Sequence, residues 1–331
     1  MGKTLVSIIC TNYNKGSWIG EAIDSFLMQK TNFDYEIIVV DDKSTDDSPE
    51  IIEKYAKEHP RKIKAFYNRK NLGITKTWKK ICKHAKGKYI ARCDGDDFWT
   101  DENKLQMQVD ELRKNRKSKW CTTDYDIITP SGKVTHRSAN ESGINTPPKS
   151  YEEMLVTKGM TMASTWLVDT KLMQEINEAI SDDAIDDTFN IQLELFVKTK
   201  LTYIPKATTV YRLNQGSDSH PTDSQVVRAR EEKLLETQLE YINKYKDFKY
   251  REIIELLLRE NCVADDRLRL IKEFQIDQKN KETLINSKQR EIDAKQREID
   301  AIRESLRYKI GTIITAPVLA IKRAIKRVTN D

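Results

Sequence analysis

The sequence lacks long hydrophobic runs. No apolar stretch reaches the roughly 18 residues that a membrane-spanning helix requires. The first residues also lead directly into a strand-like segment, Leu5 to Cys10, without the charged and then apolar leader of a secreted protein. We therefore expect a protein that is neither secreted nor integral to a membrane.

The sequence lacks the cysteine patterns of metal and redox sites and the glycine-rich loop of many phosphate-binding sites. The five cysteines are scattered, and their spacings form neither a CxxC pair nor a metal-binding pattern, so we expect reduced cytosolic thiols. Residues 1–30 offer only Lys15-Gly16 in place of a glycine-rich phosphate loop, which disfavours a nucleotidyltransferase that makes sugar nucleotides.

Charge of one sign is not concentrated in most of the chain. The net charge of +5 is modest and acidic and basic residues are mixed, which argues against a nucleic-acid surface. With 331 residues the chain can form one large or two ordinary domains. Because 33% of the residues are charged and the mean hydropathy is −0.67, part of the chain is expected to lie outside a core.

Strand-like and helical segments alternate through the first hundred residues. This alternation predicts a parallel sheet whose strands all end at one edge, the edge at which open α/β sheets bind ligands. The predicted helices begin at Ser17, an expected N-cap, at Ser48-Pro49 and near residue 74. The predicted strands are 5–11, 35–40, 63–67 and a fourth that runs up to Asp94.

Polar loops follow these strands and converge on the same edge. The last loop holds Asp94, Gly95, Asp96 and Asp97. Clustered carboxylates repel one another, so they form either a solvated Asp-Gly turn or a site around a divalent cation. The other loops on this edge are 11–14, 41–42 and 68–73.

The second half of the chain is less regular. We predict a helix over 102–114, a helix after Asp187, and a loop rich in Ser, Asn and Pro up to residue 150. The chain becomes helical and heavily charged from about residue 225. The predicted strands are 120–128, 163–168 and 201–212.

A series of motifs between residues 4 and 220 resembles the family 2 inverting glycosyltransferases, which have the GT-A fold. Their order and spacing, rather than any one motif, carry the resemblance. They are "VSIICTNYN" (6–14), "EIIVVDDKSTDDS" (36–48), "NLG" (71–73), "GKYIARCDGDD" (87–97), Trp99 with "KLxxQ" (104–108), Asp186-Asp187 and "YRLNQGSDS" (211–219).

The resemblance implies a nucleotide-sugar donor and a divalent cation, Mn²⁺ or Mg²⁺, that offsets charge on the diphosphate leaving group. Asp94-Gly95-Asp96 matches the family's Asp-x-Asp motif. By that match Asp96 binds the metal, Asp94 orients the ribose or a metal-bound water, and Gly95 lets the backbone approach the donor. His220 could complete the metal shell or contact phosphate, although a lone histidine in a polar loop is more often exposed.

Other positions match the family's nucleotide site. Asp41 is expected to accept a hydrogen bond from the N–H of a pyrimidine ring, the alternative being an acidic turn before a helix. Arg212 could reach the diphosphate with its planar guanidinium, and Ser217 would be a flexible point of a mobile loop. The remaining donor-binding candidates are Thr11, Tyr13, Arg69 and Asn71.

An inverting transfer requires a base opposite the leaving group, and the family uses the second residue of an acidic pair. Asp186-Asp187 matches this pair, which makes Asp187 the candidate base and Asp186 its catalytic neighbour. Asp182 and Asp183 lie just upstream and remain an alternative.

The C-terminal quarter has two features of its own. The heptad "KQREIDA" occurs at 288–294 and again at 295–301, which puts isoleucines seven residues apart but completes only half of a coiled-coil seam. A homo-oligomer and a single solvated helix both fit this pattern. Residues 310–321 are mostly apolar and four basic residues follow them, which is typical of an interfacial helix on an anionic membrane, although a partner helix or packed tail also fits.

Together these features predict an α/β GT-A domain over 1–222, with a nucleotide-binding half (1–100) and an acceptor-binding half (101–222). A charged coiled-coil-like region (223–309) and a basic tail (310–331) follow. The expected activity is metal-dependent inverting transfer from a UDP or dTDP sugar to a saccharide or lipid-linked glycan in surface polysaccharide synthesis. The expected location is cytoplasmic and peripheral at the inner face of the membrane. A non-catalytic sugar-nucleotide or glycan-binding scaffold is the alternative.

Overall fold

A computed structural model describes residues 4–184, 186–214, 223–245, 249, 251–257, 259, 276 and 279–301. The strands are β1 (Val6–Asn12), β2 (Tyr35–Asp41), β3 (Ile63–Tyr67), β4 (Tyr89–Arg92), β5 (Phe98–Trp99), β6 (Ser118–Ile128), β7 (Val134–His136), β8 (Leu167–Asp169) and β9 (Lys200–Arg212). The helices are α1 (Gly16–Leu27), α2 (Ser48–Glu58), α3 (Ile74–Cys82), α4 (Lys104–Lys114), α5 (Tyr151–Thr157), α6 (Thr170–Ala179), α7 (Asp187–Lys198) and α8 (Ser224–Lys244), with a 3₁₀ turn at Ala163–Thr165. Helical backbone also covers 251–257 and 279–301.

The N-terminal half forms the predicted parallel sheet. Strands β3, β2, β1 and β4 lie side by side in that order, and all three pairings are parallel. Every residue of β1 and β2 is buried, as expected of apolar runs covered by helices on both faces. Ile8 and Ile37 point into one core cluster and Ile9 and Ile38 into the other, so the strand period of two divides the core between the two faces.

The second half extends this sheet with mixed pairing. Within the described residues the order continues from β4 through β8, β6 and β9 to β5, with β7 paired to β6. Strand β8 is antiparallel to β4, whereas β6 and β9 are parallel. The sequence analysis missed α5 and α6. Both begin at a capping side chain: Ser150 accepts from the amide of Glu153, and Asp169 from that of Leu172, each at 3.1 Å.

Helix α1 begins earlier than predicted, and Ser17 is not its N-cap. The cap position is Lys15, whose side chain makes no capping hydrogen bond. The loop after β2 and the first residue of α2 provide acceptors for the amides at this end of the helix instead. The Lys15 amide donates to Ser48 Oγ at 3.1 Å, and the Gly16 amide donates to Asp46 Oδ2 at 2.8 Å. A cap from a distant loop leaves no local signal in the sequence of the helix itself.

The chain divides into two compact units, Met1–Glu260 and Asn261–Asp331. Helix α8 belongs to the first unit, because Leu234 and Tyr241 are buried in a cluster with side chains of α5 and α7. The domain boundary expected after residue 222 lies between the end of β9 and the start of α8 and stays a prediction. No helix within the described residues is long and apolar enough to span a membrane.

Candidate active site

The ends of β1 and β4 are joined at the Asp-x-Asp loop. Thr11 Oγ1 donates to Asp94 Oδ1 at 2.7 Å, and the Gly95 amide donates to the Thr11 carbonyl at 3.0 Å. A Cβ atom on Gly95 would lie only 2.7 Å from Asn12 Oδ1, so a larger residue there would require the Asn12 side chain to shift. Tyr13, the first residue after β1, has 45% of its surface exposed.

Asp41 ends β2 and is 2% exposed. Its Oδ1 accepts from Asn12 Nδ2 at 2.9 Å and from Ser44 Oγ at 2.5 Å, and its Oδ2 accepts from the Ser44 amide at 2.9 Å. A carboxylate has about four acceptor positions, and three are used in this way. Asp41 therefore holds the first two loops together, and its bond to a pyrimidine ring stays a prediction.

The loop after β3 is held by Asp42. The Leu72 amide donates to Asp42 Oδ1 and the Gly73 amide donates to Asp42 Oδ2, both at 2.9 Å. Gly73 has φ +80°, a conformation that other residues rarely adopt. Arg69 and Asn71 are exposed on this fixed loop, so their side chains are available to a ligand.

Asp96 forms an ion pair that the sequence did not suggest. Lys15 Nζ lies 2.5 Å from Asp96 Oδ2, and both side chains are mostly buried. The neighbouring Asp97 is fully buried; it accepts from Ser164 Oγ at 2.6 Å and from the Arg212 amide at 3.0 Å. Burial, with the nearby charge of Asp96, raises the pKa of the Asp97 carboxyl well above its usual range.

Arg212 lies beside this loop at the end of β9 and is 4% exposed. Its Nε donates to the Asp96 carbonyl at 3.1 Å, its Nη1 to the Pro130 carbonyl at 3.2 Å, and its Nη2 to Glu21 Oε2 at 2.6 Å. These bonds occupy the guanidinium within the protein. A contact between Arg212 and a diphosphate would require it to leave some of them.

The acidic pair begins helix α7. Asp187 is its first residue and is 3% exposed, and Arg92 Nη1 donates to Asp187 Oδ2 at 2.7 Å. Burial raises the pKa of the Asp187 carboxyl above its usual value, and the Arg92 charge opposes this rise. Asp186 is the N-cap: it accepts from the Phe189 amide at 3.1 Å and forms an ion pair with Arg230 of α8.

The alternative acids, Asp182 and Asp183, lie on the surface next to α3. Their side chains are 62% and 83% exposed, and they pair with Lys79 and Lys76 respectively. Neither makes one of the contacts described above for the Asp-x-Asp loop. The placement therefore favours Asp187 over both as the residue next to the motif.

Arg92, the last residue of β4, is the main site residue that sequence reasoning missed. Its side chain is 1% exposed, and its Nε lies 3.5 Å from Asp94 Oδ1 while its Nη1 bonds Asp187. A signal was available, because an arginine within a strand buried on both faces must have buried anionic partners. Lys15 and Ser164 were missed too, and no local pattern marks them.

The chemistry of the loop fits a divalent cation. Asp96 supplies carboxylate oxygens at the edge of the sheet, and a metal bound there would have to displace or share the contact of its Oδ2 with Lys15. Mg²⁺ and Mn²⁺ are usually held by one or two carboxylates together with substrate phosphates and water. The described residues contain no group of three or more His, Cys, Asp or Glu placed to hold a metal by themselves. His220 and Ser217 lie outside the described residues.

Sequence comparison gives one family. Residues 7–167 match the family model described as "Glycosyl transferase family 2". An uncharacterized protein of Mycobacterium tuberculosis is 30% identical over 211 residues, which are 62% of this chain and 58% of that protein. TuaG of Bacillus subtilis, whose name assigns it a glycosyltransferase role in teichuronic acid biosynthesis, is 34% identical over 130 residues, 39% of this chain and 50% of TuaG. The chain thus spans between 50% and 58% of the length of these relatives.

Two solved structures share the fold. Residues 1–349 of Staphylococcus aureus TarS align with a TM-score of 0.55 at 18% identity, over 77% of this chain and 71% of that one. The mannosyltransferase PcManGT of Pyrobaculum calidifontis aligns with a TM-score of 0.56 at 15% identity, over 77% and 69%. The chain therefore has the GT-A fold, and its residues 7–167 match the glycosyl transferase family 2 model.

Proposed function

We propose that this chain is a metal-dependent inverting glycosyltransferase that moves a sugar from a UDP or dTDP donor to a saccharide or lipid-linked glycan. The observation that carries the proposal is a chain of contacts through the site. Asp187 is paired with Arg92, Arg92 lies against Asp94, and Asp94 is bonded to Thr11 near the end of β1. The candidate base and the candidate donor residues therefore lie close together, as a single transfer step requires.

The residues have the properties that the step needs. Asp187 would accept the proton of the acceptor hydroxyl as that oxygen attacks the anomeric carbon, and the C–O bond to the diphosphate breaks on the opposite side. A carboxyl whose pKa is raised by burial holds a transferred proton better than an exposed one. A cation at Asp96 would supply charge compensation for the leaving diphosphate.

The relatives support the class of donor and cofactor. TarS has been solved with UDP and with UDP-GlcNAc, and PcManGT with GDP-Man and Mn²⁺. The name of TuaG supports a role in surface polysaccharide synthesis. The basic tail supports a location at the inner face of the cytoplasmic membrane, where a lipid-linked acceptor would be reached, and the heptad repeat is compatible with a homo-oligomer.

The test is turnover and binding of a panel of UDP-, dTDP- and GDP-sugars in Mn²⁺ or in EDTA, with wild type, Asp187→Asn and Asp183→Asn. We expect metal-dependent turnover of one donor, a loss of about a hundredfold or more in Asp187→Asn with donor binding retained, and no change in Asp183→Asn, whose side chain is 83% exposed.

Three outcomes would contradict parts of this proposal. Equal turnover in EDTA would show that the reaction does not require a divalent metal. A loss in Asp183→Asn rather than Asp187→Asn would reassign the base. Donor binding without turnover, even with lipid-linked acceptors present, would replace the enzyme with a sugar-nucleotide-binding scaffold.

A further inference from the structure

A single buried arginine lies between the two acidic parts of the site. Arg92 donates from Nη1 to Asp187 Oδ2 at 2.7 Å, while its Nε lies 3.5 Å from Asp94 Oδ1. These carboxylates come from different parts of the chain, one from the loop after β4 and one from the start of α7. Because Arg92 is 1% exposed, solvent cannot take the place of either carboxylate.

Two aromatic rings restrict how the guanidinium can move. Its central carbon is 4.5 Å from the ring centroid of Trp78 and 6.0 Å from that of Trp166, and both tryptophans are fully buried. Such contacts favour a cation over the ring and hold the planar group in one orientation. Arg92 is therefore restrained from turning its Nη1 donor away from Asp187.

One donor of this arginine is not used within the described residues. The Arg92 Nε–H has no hydrogen-bond partner, because 3.5 Å to Asp94 is longer than the 2.7–3.2 Å of most N–H···O bonds. A buried donor without a partner is unfavourable. A shift of Asp94 by about half an ångström towards Arg92 would complete the bond.

The charges around Asp187 make Arg92 important to it. The groups that face it are Arg92 and, as anions, Asp186 of its own helix and Asp94 of the loop after β4; the Cys82 thiol of α3 is buried and neutral because burial raises its pKa. Arg92 is the cation among these groups. Without it, the Asp187 carboxylate would be buried among like charges.

We propose that Arg92 is a positioning residue for the transfer: it orients and stabilises the Asp187 carboxylate, and it couples that carboxylate to the donor through Asp94. The inference rests on the proposed function, in which Asp187 is the base and Asp94 lies on the donor. A donor bound at Asp94 would change the distance from Asp94 to Arg92 Nε. Because Nε and Nη1 belong to one planar group held between two rings, a shift at Nε also moves Nη1 and its contact with Asp187.

The test compares Arg92→Lys and Arg92→Gln with wild type by the pH dependence of kcat and kcat/KM, together with UDP binding and circular dichroism. Arg92→Lys keeps the charge but loses the planar fork, so kcat should fall at least tenfold with UDP affinity within about threefold of wild type. In Arg92→Gln the acidic limb of kcat should move upward by about one pH unit or more, because an unpaired buried carboxyl ionises at higher pH. Arg251→Gln is the control, since Arg251 pairs with Glu255 on the surface, with 92% of its side chain exposed, and should leave both profiles unchanged.

Coupling is tested by a double-mutant cycle. If Arg92 and Asp94 act as one unit, the loss of kcat in Arg92→Lys with Asp94→Asn will be smaller than the product of the single losses. Multiplicative losses would overturn the coupling. An unchanged kcat in folded Arg92→Lys would overturn the positioning role, and this variant decides if Arg92→Gln does not fold. A wild type without turnover would instead refute the proposed function, which separates the two failures.

Discussion

Asp94, Asp96 and Asp97 are neighbours in the sequence, yet each carboxylate has a different partner in the structure. Asp94 accepts from Thr11, Asp96 pairs with Lys15, and Asp97 is buried between Ser164 and the Arg212 amide. The pKa of Asp97 is raised by burial, and its bonds join the loop to β9. Residue type alone could not separate these roles, because each depends on which distant residue packs against the loop.

Close packing at a single atom gives a prediction at the residue scale. A Cβ on Gly87 would lie 2.6 Å from the Ser7 backbone nitrogen, so Gly87→Ala must displace backbone. We expect it to lower the free energy of unfolding by about 1–3 kcal/mol, as overpacking usually does. Urea denaturation followed by circular dichroism measures this difference.

Gly20→Ala is the matched control for Gly87→Ala. Gly20 lies within α1, and a Cβ there would come no closer than 3.6 Å, to the Tyr55 hydroxyl. Alanine favours helix by up to about 1 kcal/mol over glycine, so this variant should be as stable as wild type or more so. Equal losses in both variants would refute the packing argument.

At the scale of elements, the "KLxxQ" motif of α4 stabilises the Asp-x-Asp loop through the 3₁₀ turn at Ala163–Thr165. Lys104 Nζ donates to the Thr165 carbonyl at 3.2 Å, and Gln108 Nε2 donates to the same oxygen at 2.7 Å. Trp99 Nε1 donates to the Ser164 carbonyl at 2.9 Å. These bonds fix the 3₁₀ turn at Ala163–Thr165, and the Ser164 hydroxyl in turn donates to Asp97. The motif thus has a structural explanation in addition to its family resemblance.

Lys104 predicts a pH dependence of stability. Its side chain is fully buried, and burial lowers the pKa of its ammonium group from 10.5 to about 7. Between these values the unfolded chain binds the proton and the folded chain does not, so this group makes stability rise with pH from about 7 towards 10. Relative to Lys104→Met, wild type should gain about 2 kcal/mol of unfolding free energy between pH 7 and pH 9.

Urea denaturation at a series of pH values checks this expectation, and comparison with a variant cancels the other titrating groups. Lys114→Met, on the same helix but with a side chain that is 71% exposed, should parallel wild type. Parallel curves for wild type and Lys104→Met would show that Lys104 stays protonated in the folded protein.

At the scale of the whole molecule, the two compact units differ in how far their apolar side chains are buried. Met1–Glu260 form one compact unit, and its core clusters include residues of every layer from β1 to α8. In the second unit the described isoleucines at 285, 292 and 299 are 65%, 59% and 44% exposed. The first unit therefore has a buried apolar core, whereas these three isoleucines of the second unit are exposed.

The basic tail predicts membrane binding by the full chain. Replacement of Lys322, Arg323, Lys326 and Arg327 by glutamate should reduce partitioning onto vesicles with phosphatidylglycerol roughly a hundredfold or more, because each basic residue near an anionic surface contributes about 1 kcal/mol. Sedimentation with vesicles measures this partitioning. Vesicles of phosphatidylcholine alone are the control, and equal binding of both proteins to anionic vesicles would refute the prediction.

The sequence predicted most of the nucleotide-binding half and less of the remainder. Strands β1 to β4 were found because apolar runs such as "YEIIVV" must be buried on both faces. Helices α5 and α6 were missed, since short amphipathic segments give weak periodicity. The predicted start of α1 was wrong because the amides at its N-terminus donate hydrogen bonds to Ser48 and Asp46, which lie far along the chain.

By itself the sequence determined the parallel arrangement of β3, β2, β1 and β4 and the edge to which their loops belong, since hydrophobic period and loop position are local properties. Only the tertiary structure decided how those acids are paired. Arg92 meets Asp187, and Lys15 meets Asp96, through contacts between residues 95 and 81 positions apart. Such pairings depend on how distant elements pack, and in a buried site the partner, more than the residue type, sets the charge and orientation of a carboxylate.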